Sequence, residues 1–113
     1  MKKVLKDIFD DILEISDIKM QKKLWLNEDN DTGLISSYVE LMNRLFDDNN
    51  FDYFIENEAL VLGLESKLIV ALETLRDALD DYVEKETDQG IITDPKWIEI
   101  SKQAKSIIEM WPS

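Results

Sequence analysis

The sequence predicts an all-α fold: one compact domain over residues 1–113, built from four to six helices that are mostly antiparallel. Apolar residues recur at helical period along most of the chain, and no strand-like alternation persists beyond a few residues. Only three Gly and two Pro are present, so few turns are obligatory. A length of 113 residues is typical of a single domain.

The first quarter of the chain predicts two helical pieces and a loop. The apolar pairs Val4–Leu5, Ile8–Phe9 and Ile12–Leu13 repeat every four residues and indicate one buried face. A second piece runs from Ile18 to Leu26, and the polar run NEDNDTG at 27–33 is typical of a loop. The acidic residues assigned to the opposite, solvated face of the first helix are Asp7, Asp10, Asp11 and Glu14.

The next helix is predicted to begin at Ser37, because Ser37 and Glu40 fit the capping-box pattern. It ends at the polar run 47–50, and residues 51–57 predict a short helix, with a loop as the alternative. The strongest helix starts at Leu60 or Leu64 and runs to Glu86, a rod of about 35 Å. Residues 87–90 should end it, with Gly90 in a left-handed conformation.

The last helix is predicted from its start signals. Asp94 can cap it, and Pro95 suits its first position. Both Trp97 and Trp111 are assigned to the core, at the two ends of its apolar face. Pro112 follows where the helix can end.

Composition excludes most catalytic and metal chemistry. The chain has no Cys and no His, so it lacks a thiolate nucleophile, the usual general base and the commonest transition-metal ligand. Loop 27–33 fails as a calcium loop: placing Gly33 sixth puts Val39 at the twelfth position, where a bidentate acid is needed. We therefore expect neither an enzyme nor a bound metal or cofactor.

Net charge indicates the class of partner. The chain carries −12, with nine acids against one Arg in residues 27–63 and eight acids against three basic residues in 64–90. Such a balance argues against nucleic acid and anionic membranes and favours a basic protein. Acidic residues interrupt the apolar run behind the N-terminal lysines, so we expect neither a signal peptide nor a membrane span but a cytoplasmic protein. We expect a monomer rather than a homo-oligomer.

Two acidic patches are candidates for binding that partner. The stretch LFDDNNFDYFIENE (45–58) mixes five carboxylates with aromatic residues, and Tyr53 and Trp25 are the candidate aromatic anchors. On the long helix, spacings of 4, 3 and 4 place a second acidic row on one face. The alternative is that both patches only aid solubility. The predicted partner-binding residues are Asp47, Asp48, Asp52, Tyr53, Glu56, Glu73, Asp77, Asp80, Asp81 and Glu84.

In the chain, WLNEDNDTGLISSYVELMNRLFDD precedes a short aromatic helix and a later DPKWIEI. With these segments, its small size, its acidity and its lack of Cys, the chain as a whole resembles the immunity proteins of bacterial toxin systems, including contact-dependent growth inhibition and colicin-like pairs. The resemblance implies a protein that binds a cognate basic toxin domain, often a nuclease, and occludes its active site. The alternatives are a small acidic secretion chaperone or adaptor, a DNA mimic or antitoxin regulator, and lastly a carboxylate enzyme.

Overall fold

Seven helices make up most of the computed structural model, which describes residues 2–112, and that range contains no strand. The radius of gyration is 13.8 Å, close to the value of about 13 Å for a single domain of this length. The all-α, single-domain prediction is confirmed, with one helix more than the predicted range. The helices are α1 (Lys2–Ser16), α2 (Ile18–Trp25), α3 (Tyr38–Met42), α4 (Phe51–Tyr53), α5 (Ser66–Asp81), α6 (Asp88–Ile92) and α7 (Pro95–Met110).

Two helices widen before they end. The chain continues α3 through a π-helical turn at Asn43–Asp48, and it continues α4 through another at Phe54–Glu58. In a π-helical turn the backbone hydrogen bonds join residues five apart, rather than four apart as in an α-helix. Such turns occur frequently at functional sites. The first turn overlaps the start of the acidic stretch 45–58, and the second lies at its end.

Side-chain caps fix the helix starts that the sequence predicted. The Ser37 hydroxyl accepts a hydrogen bond from the Glu40 backbone N–H at 3.0 Å, and α3 begins at the next residue. The Asp94 carboxylate accepts from the Lys96 N–H at 3.1 Å, with Pro95 as the first residue of α7. The predicted starts of these two helices are confirmed, because a cap depends only on neighbouring residues.

The long helix is shorter than predicted at both ends. Gly63, with φ +86°, closes the preceding helical segment, so α5 begins only at Ser66. At the other end Tyr82 is extended, its hydroxyl donates to Asp94 Oδ2 at 2.8 Å, and its ring packs on Trp97. The 16 residues of α5 span about 24 Å. A tertiary contact therefore overrides the helical pattern that continued to Glu86.

Gly90 does not end a helix. It lies inside α6, and its N–H donates to the Thr87 hydroxyl at 3.0 Å, so that Thr87 is the cap of this helix. Ile91 and Ile92 are both buried there. Burial of these two side chains explains why the segment is a helical turn rather than the predicted left-handed stop.

The core is centred on α7, which contacts both α1 and α5. Trp97 is fully buried, and its ring centroid lies 5.4 Å from those of Tyr38 and Tyr82 and 6.0 Å from that of Trp25. Trp25 is only 8% exposed, so its prediction as a surface anchor is wrong. Trp111, predicted in the core, is half-buried at the edge of the domain.

Candidate protein-binding surface

Arg76 of α5 joins carboxylates from two helices. Its Nε lies 3.2 Å from Asp77 Oδ1 and 3.7 Å from Asp52 Oδ1, and its Nη1 lies 3.8 Å from Glu56 Oε1. The Arg76 side chain is 18% exposed, whereas the three acidic side chains are 56–67% exposed. One largely covered cation therefore holds three solvent-facing carboxylates where α4 and α5 meet.

The two acidic patches of the sequence are one surface in the fold. The pKa of Asp80 is raised, first by burial and then by the negative charge of Asp52, an effect that requires the two residues to be close. Asp77 and Asp80 also share a face of α5 with Glu73, because these residues are spaced 4 and 3 apart. We call this group the α4–α5 acidic surface: Asp52, Glu56, Glu73, Asp77 and Asp80.

Three predicted residues lie next to this surface, near the junction between α4 and the π-helical turn that precedes it. Asp47 and Asp48 are exposed at the end of the π-helical turn that follows α3. Asp48 and Tyr53 line an open groove with Asp7 of α1 and Glu58. Tyr53 is 52% exposed, and it is the one predicted aromatic anchor that reaches the surface.

The acidic row on α5 ends earlier than predicted. Asp81 is exposed as the last residue of the helix, but Glu84 lies beyond it in a segment without regular secondary structure. Glu84 is instead near Tyr38, whose pKa is raised by burial first and by the Glu84 charge second. The prediction that Glu84 shares a helical face with Asp80 is therefore wrong, because Tyr82 turns the chain away from the helix.

Most of the predicted carboxylates form no ion pair within residues 2–112. Only three of the nine are paired with Arg76, and the others form no ion pair with any side chain in the part of the chain that is described. Two of the aromatic residues between them, Phe51 and Phe54, are fully buried. The six unpaired carboxylates are those of Asp47, Asp48, Glu73, Asp80, Asp81 and Glu84.

A buried polar network behind these surfaces was not predicted. Glu14 is 5% exposed, and its Oε2 accepts from Trp25 Nε1 and from the Ser36 hydroxyl, each at 2.9 Å. Its Oε1 accepts from Arg44 Nη2 at 2.9 Å. The network ties α1, α2 and α3 together through one carboxylate. The assignment of Glu14 to a solvated face is thus wrong.

Asp11 is the second acid placed wrongly on that face. It is 4% exposed, its Oδ2 accepts from Asn49 Nδ2 at 2.7 Å, and its Oδ1 lies 3.9 Å from Arg44 Nη1. Helical period alone cannot show that a distant residue supplies a partner for an acid. The available signal was Arg44, which is the single basic residue between positions 27 and 63.

Asp11 makes stability depend on pH. Burial raises its pKa to about 6, against the opposing effects of the Asn49 hydrogen bond and the Arg44 charge. The native state therefore binds this proton more tightly than the unfolded state, whose pKa is about 4. The ionised Asp11 should therefore lower the free energy of unfolding. This unfavourable contribution has its full size above about pH 6 and disappears as the pH falls to about 4.

We expect Asp11→Asn to raise the free energy of unfolding by about 2 kcal/mol at pH 7 and by close to zero at pH 4. Urea unfolding of the variant and the natural chain across this pH range measures the difference. The control is Asp10→Asn, one residue away, which is exposed and pairs with the exposed Lys6. A gain for Asp11→Asn that is the same at both pH values would contradict the assignment.

Hydrogen bonds from its own side chains stabilise the loop at 27–33. Asn30 Oδ1 accepts from the Thr32 backbone N–H at 3.0 Å and from the Thr32 hydroxyl at 2.6 Å. Asn30 Nδ2 donates to the Leu34 carbonyl oxygen at 2.6 Å. The predicted loop is confirmed, and its polar residues bond mainly to one another. Across residues 2–112, no group of three or more acidic side chains is arranged to hold a metal ion.

No protein-family model, no curated protein and no solved structure matches this chain. Within residues 2–112, none of the helices combines the length and the apolar character needed to cross a bilayer.

Proposed function

We propose that this protein is an immunity protein that binds a basic toxin domain and covers its active site. The observation that carries the proposal is the α4–α5 acidic surface, in which carboxylates from two helices converge around one arginine. Immunity function requires a partner and no chemistry, and the chain has neither His nor Cys. We expect it to act in the cytoplasm of the toxin-producing cell.

The electrostatics of the surface suit an inhibitor of a nuclease. A nuclease active site attracts phosphate and is therefore cationic, so a cluster of carboxylates is attracted to the same place. Two carboxylates of the acidic surface, Glu73 and Asp80, have no ion-pair partner among the described residues, and the net charge of −12 strengthens the field. Such complementarity raises association rates by orders of magnitude at low salt.

The fold favours this proposal over the secretion chaperone. A chaperone of that class is expected to be a dimer with a sheet and an open hydrophobic groove, and residues 2–112 contain no strand. The aromatic residues that could line a groove are mostly in the core, as Phe51, Phe54 and Trp97 show. An exposed anionic surface on a helical domain is better suited to blocking a cationic site.

The direct test is binding to the C-terminal domain of the protein that the adjacent gene encodes, measured by biolayer interferometry at about 50 and 300 mM NaCl. We expect tight binding whose association rate falls steeply with salt, because salt screens the attraction between exposed charges. Co-expression should also protect cells from that domain. Absence of both binding and protection would overturn the proposal.

Reversing two charges on the acidic surface should slow the association. For the double variant Asp77→Lys and Asp80→Lys, we expect the association rate at low salt to fall about tenfold, with the chain still folded. The control is Glu28→Lys with Asp31→Lys, which makes the same change in net charge on the exposed loop. If both variants slow association equally, only the total charge matters and the surface is not the binding site.

A further inference from the structure

The helical segment that begins with α4 extends one turn beyond its π-helical part. The Leu62 N–H donates to the Glu58 carbonyl at 2.9 Å, and the chain then closes in a Schellman motif. In this motif the Leu64 N–H reaches the Ala59 carbonyl at 3.1 Å, and Gly63 has φ +86°. The positions before Gly63 are therefore held in place rather than being part of a loose loop.

Burial divides this segment into two sides. The inner side packs in the core through Phe51, Phe54, Ile55, Ala59 and Leu64. The exposed residues recur as pairs every four positions, so they form one stripe along the outside. We call this stripe the α4 outer face, and its residues are Asp52, Tyr53, Glu56, Asn57, Leu60 and Val61.

The far end of the α4 outer face is apolar. Leu60 is 72% exposed and Val61 is 76% exposed, and both follow Tyr53, at 52%, along the same stripe. Single exposed apolar residues are common, but Leu60 and Val61 are an adjacent pair, and Tyr53 lies about two turns earlier on the same stripe. The three residues thus form an apolar patch that Glu56 and Asn57 interrupt. Patches of this kind, with tyrosine and aliphatic side chains, supply the anchors of protein interfaces.

The rim of this patch indicates what can cover it. Asp52 and Glu56 belong to the same α4 outer face and pair with Arg76. Asp48 and Glu58 line an open groove together with Tyr53. A second copy of the chain would bring the same carboxylates together across a two-fold axis, and like charges in such an interface repel. Lys3 also lines the open groove, but it pairs with Asp7 at 3.1 Å, so the groove stays net negative. A partner with basic residues around an apolar groove would therefore meet mainly opposite charges.

We infer that the α4 outer face is the apolar centre of the interface with the basic partner. Tyr53, Leu60 and Val61 enter an apolar groove of that protein, and Asp52 and Glu56 meet the basic residues at the edge of the groove. This inference rests on the proposed function. Its division of roles is specific: carboxylates govern how fast the complex forms, and the apolar residues govern how slowly it dissociates.

The test is the double variant Leu60→Ser with Val61→Ser in the full chain, bound to the C-terminal domain encoded by the adjacent gene. We expect the dissociation rate to rise at least tenfold, with the association rate changed less than threefold and its salt dependence unaltered. The matched control is Leu34→Ser with Ile35→Ser, another adjacent exposed pair at 65% and 72%. We expect this control to change neither rate more than about twofold, because it lies outside the rim.

Each other outcome has a defined meaning. If the natural chain binds but both double variants dissociate at the natural rate, the inference is wrong and the proposed function stands. If both pairs accelerate dissociation equally, the apolar centre is not on α4. Analytical ultracentrifugation of the chain alone would overturn the inference if it found a dimer that Leu60→Ser with Val61→Ser abolishes. If the natural chain does not bind that domain, the proposed function is overturned, and the inference with it.

Discussion

Replacing Glu14 by alanine is expected to lower the free energy of unfolding by about 2–4 kcal/mol, because it removes the acceptor of two buried hydrogen bonds and one partner of Arg44, whose side chain is 41% exposed. The Trp25 indole, the Ser36 hydroxyl and the Arg44 guanidinium would all lose the acceptor that Glu14 provides. Leaving the buried Trp25 and Ser36 donors without this acceptor costs more than the two hydrogen bonds were worth, whereas Arg44 keeps Ser36 Oγ at 3.1 Å and Asp11 Oδ1 at 3.9 Å. Urea denaturation at pH 7, followed by far-ultraviolet circular dichroism, measures the loss.

The control for Glu14 is an exposed ion pair on the same helix. Lys6→Ala should change stability far less than Glu14→Ala, because the Lys6–Asp10 pair is solvated. Glu14→Gln keeps an acceptor oxygen in place and should lose less than Glu14→Ala. A loss below about 1 kcal/mol for Glu14→Ala would show that the network contributes little net stability.

Trp97→Ala is expected to cost about 3–5 kcal/mol, the range for a large aromatic side chain removed from a core. Trp97 is fully buried, and its Nε1 donates to Gln21 Oε1 at 2.9 Å. Removing it would open a cavity between α2, α3 and α7 and leave Gln21, itself fully buried, without this donor. Thermal unfolding by differential scanning calorimetry measures the effect.

The matched control is Trp111→Ala, in which the same residue type is half-buried at the edge of the domain and packs on Phe9 at a centroid distance of 5.5 Å. We expect it to cost about 1–2 kcal/mol, because a partly exposed ring buries less apolar area. Equal losses for the two variants would show that Trp97 is not central to the core. Trp97→Phe should fall between them, since it keeps a ring but loses the hydrogen bond to Gln21.

Local signals explain which parts of the fold could be predicted. Ser37 and Asp94 mark helix starts because a cap is made between a side chain and a backbone N–H only two or three residues away. The end of α5 could not be read in this way. It depends on a hydrogen bond from Tyr82 to Asp94, twelve residues along the chain. The starts of α3 and α7 thus depend on neighbouring residues, whereas the end of α5 depends on a tertiary contact.

The candidate surface could be predicted in its parts but not in its assembly. Composition and helical spacing identify the acidic residues of both patches. Only the fold shows that Asp52 and Glu56 meet Asp77 through Arg76, because these residues are separated by some twenty to twenty-five positions along the chain. Helical period did not reveal that Asp11 and Glu14 are buried. The spacing of residues along a helix does not show whether a carboxylate is hydrated or paired with an arginine from a distant part of the chain.

The two-sided packing of the segment from Phe51 to Leu62 has an evolutionary consequence. Its inner residues determine whether the chain folds, and its outer residues take no part in the core. Substitutions outside change stability by less than about 0.5 kcal/mol and can still reject one target and accept another. Under the proposed function, duplicated copies of this gene can therefore diverge in which partner they bind, one position at a time, while every descendant keeps the same interior.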